Sequence, residues 1–313
     1  MIISACLGFR ACRYNGDKIN FPFLSKMEKY VDFVAVCPEA DCGMGIPRKT
    51  VRLVNVNDEL KMLQPATGKD WTDSISDLIE EVINNNRDAD GFILKAKSPT
   101  CGIKGVKIYH DIEGKRPVSR GAGLFTAKLK EEFPYCAMED EGRLLNYNIR
   151  ESFLIQLFTF ARYRTVQNIE NLVDFHSTHK LLFLGFNQAA MRRMGRLVAN
   201  HDKLDFKGVK DQYKAELDIM FSQPLKANSM INVLQHGLSG FKDLLSPDEK
   251  KFFIEILEDY RDERIPLSVP LNILKSWSIQ HNNSYLLNQI VMEPYPKELT
   301  EISDSGKGRD LKK

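Results

Sequence analysis

Of the six cysteines in the chain, three sit in surroundings that suit metal chemistry. Cys6 closes the apolar run Met1-Ile2-Ile3-Ser4-Ala5. Cys37 opens Cys37-Pro38-Glu39, with Gly43-Met44-Gly45-Ile46-Pro47-Arg48 a few residues on. Cys101 lies in Ser98-Pro99-Thr100-Cys101-Gly102. Proline and glycine beside a cysteine shape tight loops. Iron–sulfur clusters take thiolates on such loops, where backbone N–H groups also bond the sulfurs. Any one of these cysteines alone reads most simply as a small buried residue at a strand end, since free cysteine is among the most buried types. Three together weigh toward a metal or cluster site. Zinc competes with iron, because three thiolates suit a catalytic zinc and four a structural one, and spacing does not separate the two metals.

The elements around these cysteines alternate. Ile2–Ala5 reads as a buried strand, Phe23–Tyr30 as a helix, Asp32–Cys37 as a second strand and Val51–Val56 as a third. Trp71–Asn85 carries Ile75, Leu78, Ile79, Val82 and Ile83 at helical spacing. Phe92-Ile93-Leu94 is another buried strand, and Leu124–Phe133 a helix with Pro134 just past its end. Strands alternating with helices predict an α/β domain with a mostly parallel sheet. In a parallel sheet the carboxyl ends of the strands share one rim, where ligands bind. Cys6, Cys37 and Cys101 each follow a strand, so the topology carries all three to that rim.

From about Glu151 the texture changes. Ser152–Tyr163, Asn168–Leu182, Gln188–Asn200, Val209–Met220, Ala227–Leu238 and Pro247–Arg261 all read as helices, an all-α second domain. Ser246-Pro247 starts the last of them, with Ser246 as N-cap and proline at the first helical position. The expected organisation is residues 1–150, then 151–302, then a Gly-, Lys- and Asp-rich tail over 303–313 that is expected to be flexible. Hydrophobic residues make up 43% and charged residues 27%, a balance that places the chain among globular domains and away from disordered tails. No apolar run reaches the roughly 18–20 residues a membrane span needs. The apolar start has no basic region ahead of it and is too short for a secretory signal. The expected compartment is therefore cytoplasmic, where cysteines stay thiols or metal ligands. A formal net charge of +2 neither requires nor excludes nucleic acid, so any such binding must come from a local patch.

Several motifs together resemble the thiouracil desulfidase family. They are Ser4-Ala5-Cys6-Leu7, Cys12-Arg13-Tyr14-Asn15-Gly16, Val36-Cys37-Pro38-Glu39, Gly45-Ile46-Pro47-Arg48 and Leu94-Lys95-Ala96-Lys97-Ser98-Pro99-Thr100-Cys101-Gly102, and they span about residues 1–150. The second half is similar to the helical domain of a two-domain branch of tRNA 4-thiouridine desulfidases. The matching stretches are Asp174-Phe175-His176-Ser177-Thr178-His179-Lys180, Asn232-Val233-Leu234-Gln235-His236, and Tyr260-Arg261 with Ile265–Leu271. The resemblance implies a [4Fe-4S] cluster held by Cys6, Cys37 and Cys101, with one iron open to the sulfur of a thiocarbonyl. It implies working roles for Glu39 and Ser98. Cys12 stands where many relatives have valine, so it is left out of the ligand set. Gly8-Phe9 and Asn15 depart from the usual Leu-Gly and Asp, which bears on substrate fit more than on the cluster.

The expected reaction replaces sulfur by the oxygen of water at the pyrimidine carbon, with no net electron transfer. Glu39 would take a proton from the water. Ser98 would orient the substrate or relay a proton. The bland alternatives are a cap or a salt bridge to Arg48 for Glu39, and a turn hydroxyl bonded to its own backbone for Ser98. His176 and His179 lie three apart on one helix, with no third ligand evident, so core hydrogen bonding is the simpler reading beside a metal pair. His236 lies elsewhere. The stretch from Lys180 through Arg192, Arg193 and Arg196 to Lys203, Lys207, Lys210 and Lys214 is locally basic. It is either a solvated helix face or a surface that follows RNA phosphates. The expected substrate is thiolated uracil within tRNA, with no membrane and no obligate protein partner. The alternatives are action on free thiouracil, or a cluster-bearing RNA-binding or redox-sensing protein without turnover. The roles of Cys42 and Cys136 stay open.

Overall fold

The computed structural model describes residues 1–200, 203–223 and 225–301, so the tail expected over 303–313 lies outside the described residues. The chain forms two compact units. One is Met1–Leu157 together with the segment from Pro296, and the other is Phe158–Tyr295.

The first unit is built on a four-stranded parallel sheet. Strands β1 (Ile2–Ser4), β2 (Val34–Val36), β5 (Gly91–Leu94) and β8 (Ala137–Asp140) lie in the order β2-β1-β5-β8. Every residue of β1 and β5 is buried, which is why these segments read as unbroken apolar runs: a parallel sheet is covered on both faces. Helix α2 (Thr72–Asn85) buries Ile75, Ile79 and Ile83, one face at four-residue spacing, in a core with Phe92, Phe125, Leu129 and Phe133. Phe125 and Leu129 come from α3 (Leu124–Glu132), and a short helix α1 (Pro22–Met27) follows the first loop.

The strand expected over Val51–Val56 is present as β3 (Arg52–Val56) but joins a second sheet. That sheet has the order β4-β3-β6-β7, with β4 (Glu59–Leu63), β6 (Val106–Tyr109) and β7 (Ser119–Gly121). The signal that separates β3 from the parallel sheet is the turn Asn57-Asp58. Both residues have positive φ, 52° and 66°, as a two-residue hairpin turn requires, and β3 and β4 pair antiparallel around it. Glu-Leu-Lys-Met-Leu has weak strand propensity, so β4 is not announced by its own residues.

The second unit is helical, as expected. It comprises the C-terminal part of α4 (Tyr147–Arg164), then α5 (Ile169–Phe186), α6 (Gln188–Ala199), α7 (Phe206–Met220), α8 (Ala227–Ser239), α9 (Pro247–Arg261), α10 (Ser268–Gln280) and α11 (Ser284–Leu287). Its core includes Phe160, Tyr163, Phe175, Phe183, Met194, Tyr213 and Leu217. The start of α9 is a capping box. The Ser246 hydroxyl accepts from the Glu249 N–H at 3.3 Å, and the Glu249 carboxylate accepts from the Ser246 N–H at 2.8 Å. The prolines around α10 hide it from pattern reading, yet Pro270 falls in its first turn, where no N–H has an intrahelical partner. Among the described residues, no helix is long and apolar enough to cross a membrane.

Candidate functional site

β2, β1 and β5 are neighbours and parallel, so their carboxyl ends meet at one edge. Cys37 follows β2 directly, Cys6 stands two residues past β1, and Cys101 sits on the loop after β5. These ends are tied together. The Lys95 N–H donates to the buried Ser4 hydroxyl at 2.9 Å, and the Ala5 N–H donates to the Val36 carbonyl at 2.8 Å. The result is a cavity of about 390 Å³ lined by Cys6, Cys12, Cys37 and Cys101, with Glu39 and Ser98 on the same wall.

Each cysteine-bearing loop has a local cause. After Cys6 the chain turns tightly, with the Arg10 N–H on the Ala5 carbonyl at 2.7 Å. Gly8 has φ of +93°, a left-handed backbone that favours glycine. After Cys37, Asp41 closes the turn. Its carboxylate accepts from the Cys37 N–H at 2.9 Å and from Arg10 at 2.8 Å. In the third loop the Ser98 hydroxyl accepts the N–H groups of Thr100 (3.2 Å) and Cys101 (3.1 Å). The carbonyls of Pro99 and Thr100 then receive the first N–H groups of α3. A Cβ on Gly123 would lie 2.3 Å from the Thr100 carbonyl oxygen, so only glycine allows this approach.

Glu39 and Ser98 show both faces of their expected readings. Glu39 lines the cavity and is also ion-paired, with Oε2 accepting from Arg48 Nη2 at 2.6 Å and Nε at 3.1 Å. Its Oε1 accepts from the Thr100 hydroxyl at 2.8 Å and the Ser98 hydroxyl at 3.4 Å. Ser98 is a turn hydroxyl that also points at a carboxylate. The ion pair to Arg48 is the one expected as the bland reading of Glu39, whereas Thr100 is a site residue that the pattern does not single out. Lys95 is another: it lines the cavity and is held by Glu141, at the end of β8.

The thiols are desolvated. Burial pushes the Cys101 thiol up, well above its ordinary range. A hydrogen shared with Cys12, and then burial, do the same to Cys37. Cys12 is pulled down by that shared hydrogen, but the bond to Cys6 and burial outweigh it and raise it to about 11. Among the described residues, no three or more His, Cys, Asp or Glu side chains are grouped to hold a single metal ion. The sulfur donors that line the cavity are the soft ligand type that an iron–sulfur cluster takes.

In the helical unit the residues marked out by sequence are not gathered into a catalytic group. His179 is buried and its Nδ1 donates to the Phe175 carbonyl at 2.7 Å. His176 Nδ1 meets the Tyr213 hydroxyl at 3.0 Å. His236 is exposed on α8. Lys180, Arg192 and Arg196 are exposed, whereas Arg193 is half-buried and paired with Glu216 of α7 at 2.6 Å. Arg193, Arg196, Asn200, Gln212 and Glu216 line a groove of about 570 Å³.

Residues 1–141 match the family model described as 2-thiouracil desulfurase, and residues 180–296 match that of a protein family of unknown function, DUF1722. The first of these similarities agrees with the resemblance carried by the motifs. The uncharacterized protein YbgA of Escherichia coli is 28% identical over 127 residues, 40% of this chain and 75% of that protein. The uncharacterized protein YbbK of Bacillus subtilis is 28% identical over 139 residues, 42% of this chain and 89% of that protein. A solved structure of the [4Fe-4S]-dependent thiouracil desulfidase TudS aligns with a TM-score of 0.36 and 26% identity, over 46% of this chain and 91% of that one.

Proposed function

We propose that the cavity holds a [4Fe-4S] cluster through Cys6, Cys37 and Cys101. In this reading the protein removes sulfur hydrolytically from thiolated uracil in the cytoplasm, with 4-thiouridine of tRNA as substrate and uridine as product. The observation that carries the reading is the meeting of three thiols, one from each of three adjacent parallel strands, in one cavity with Glu39. The match of residues 1–141 to 2-thiouracil desulfurases supports it.

When bound, the cluster supplies a soft Lewis acid for the departing sulfur. The chain's own residues do the rest. Glu39 is anchored through Oε2 by Arg48, so Oε1 keeps a fixed direction. It takes the proton of the water that attacks the thiocarbonyl carbon. Ser98 holds the Cys101 loop through two N–H groups and turns its hydroxyl toward Glu39, where it orients the substrate. Lys180, Arg192, Arg193 and Arg196 supply phosphate contacts in the helical unit, so that the RNA body is held while the base enters the cavity. A second reading, action on free thiouracil, is favoured by the description of the matching family.

Anaerobically purified protein is assayed for iron, inorganic sulfide and loss of the 4-thiouridine absorbance of tRNA. The reading predicts about four irons and four sulfides per chain, with turnover on tRNA. Turnover on free thiouracil alone selects the second reading. A loaded cluster with no turnover on either substrate points to a binding or sensing protein. Stoichiometric zinc without sulfide removes the cluster altogether.

A further inference from the structure

Tyr14 belongs to the motif Cys12-Arg13-Tyr14-Asn15-Gly16, which the chemistry above leaves unused. It is the one aromatic among the described residues that line the thiol cavity. Cys6, Cys12 and Cys101 are buried, whereas Tyr14 is 44% exposed, so its ring stands at the outer end of the cavity wall. A single exposed aromatic is ordinary on a protein surface. This one is held on a closed turn. The Arg13 N–H donates to the Asp17 carbonyl at 3.2 Å and the Gly16 N–H to the Arg13 carbonyl at 2.9 Å, with Gly16 at φ of +81°. The Arg48 N–H donates to the Tyr14 carbonyl at 2.8 Å. Arg48 also anchors Glu39, so one residue fixes the tyrosine loop relative to the carboxylate. The Arg13 guanidinium lies 5.7 Å from the centre of the Tyr14 ring, within cation–π range. A fixed ring with nearly half of its residue in water offers a flat apolar face at the cavity mouth.

We propose that Tyr14 is a stacking platform, on whose ring a pyrimidine lies face to face as it enters the cavity. A pyrimidine carries its hydrogen-bonding groups around its edge and is apolar on its two faces. Stacking therefore fixes the plane of the ring and leaves every edge group free, including the one that must point inward to the thiols. It also replaces the neighbour that a base loses when it leaves an RNA strand, the usual service of an aromatic side chain to an unstacked base. Arg13, against the same tyrosine, keeps a positive charge beside the stack. That the entering ring is a thiolated uracil rests on the function proposed above. That a flat ring lies on Tyr14 rests on the placement of the side chain.

The test uses the full chain purified under nitrogen, with 5-iodouridine and uridine as probes. Neither carries a thiocarbonyl, so neither is consumed by desulfuration. Irradiation of 5-iodouridine joins the base to an aromatic side chain in contact with it, and peptide mapping by mass spectrometry locates the adduct. The expected adduct is on Tyr14 and is competed by uridine. In equilibrium dialysis Tyr14→Leu should bind uridine about 5–150-fold more weakly, the range for one base–aromatic contact. Tyr14→Phe keeps the ring and should bind as the wild type does. Urea midpoints of both variants should match the wild type, since the exposed side chain is not part of the core. An adduct confined to other residues, no uridine binding by the wild type, or wild-type binding by Tyr14→Leu overturns the proposal. Equal losses in Tyr14→Phe and Tyr14→Leu overturn it as well, because the hydroxyl would then be the contact. The desulfidase reading fails separately. A chain without iron and sulfide, or without turnover, that still gives the Tyr14 adduct keeps the platform and loses the reaction.

Discussion

Arg48 places two nitrogens on a single oxygen of Glu39, Nη2 at 2.6 Å and Nε at 3.1 Å, and so leaves the other oxygen to hydroxyls from a different loop. The Arg48 side chain is 4% exposed and that of Glu39 13%. Through Nη1 on the Cys12 carbonyl, and through Glu39 on Thr100, this one pair bonds the loops that follow β1, β2 and β5.

Breaking the pair from one side strands a buried charge. Arg48→Met should lower the stability of the first unit by about 3–5 kcal/mol, read from urea unfolding. Adding Glu39→Gln should recover part of that loss, since no unpaired carboxylate is then left behind. Additive losses would mean that the two side chains act independently.

Glu39→Gln keeps the shape of the side chain and removes the base. Turnover should fall by about 10²–10⁴-fold while iron and sulfide content stays at the wild-type level. Ser98→Ala should also retain the cluster and slow turnover, by a smaller factor. Wild-type turnover in Glu39→Gln would reduce Glu39 to the Arg48 anchor and leave the reaction in need of another base.

Cys6→Ala, Cys37→Ala and Cys101→Ala should each lose the cluster, because three thiolates leave no spare ligand. Cys136→Ala should keep it. Cys136 packs against the core of the first unit, bonds the Ala89 carbonyl at 3.7 Å, and lies off the cavity wall. The readout is iron and sulfide per chain after anaerobic purification. Retention in any one of the first three variants would remove that cysteine from the ligand set.

The arginines of α6 should not be equivalent. Arg196 is exposed, whereas Arg193 is held by Glu216. Arg196→Ala should weaken tRNA binding and flatten the dependence of log K on log salt by about 0.7–0.9. Arg193→Ala should change that slope less, and Glu216→Gln, which frees Arg193, should steepen it. Turnover on free thiouracil should be unaffected in all three variants. Equal losses on tRNA and on the free base would indicate unfolding of the unit rather than loss of a phosphate contact.

Desolvation holds His176 at about 4 and His179 at about 3, against an ordinary 6.5, so both are neutral in the folded unit at pH 7. Below pH 6.5 the unfolded chain binds protons that the folded chain refuses. Stability should therefore fall as pH drops from about 6.5 toward about 4, by at most about 1.4 kcal/mol per pH unit for each histidine. Urea midpoints measured between pH 7 and pH 5 should show this slope, and His176→Gln should lose its share of it. A flat profile in the wild type would mean that the two histidines take up protons alike in the folded and unfolded chain.

Much of the protein was legible in the order of its residues. Buried parallel strands must be apolar on both faces, so Ile2-Ile3 and Phe92-Ile93-Leu94 declare themselves. A chain that alternates such runs with helical periodicity has few architectures open to it. The cap at Ser246 and the cysteine-bearing loops are equally local, because proline, glycine and a short hydroxyl side chain dictate turns within a few bonds. What tertiary structure alone decided is contact between segments far apart in sequence. Nothing within Arg52–Val56 says that it leaves the parallel sheet. Nothing in the basic run of α6 says that Glu216 occupies Arg193 while Arg196 lies exposed. Arg48 was in view only as a salt-bridge partner for Glu39, and its hold on the Cys12 carbonyl requires three loops to be brought to one edge. Periodicity, caps and turns are set by neighbours along the chain, and the sequence records them. Ion pairs and shared hydrogens are set by distances across the folded core, which exist only once the sheet has closed and the helices have packed.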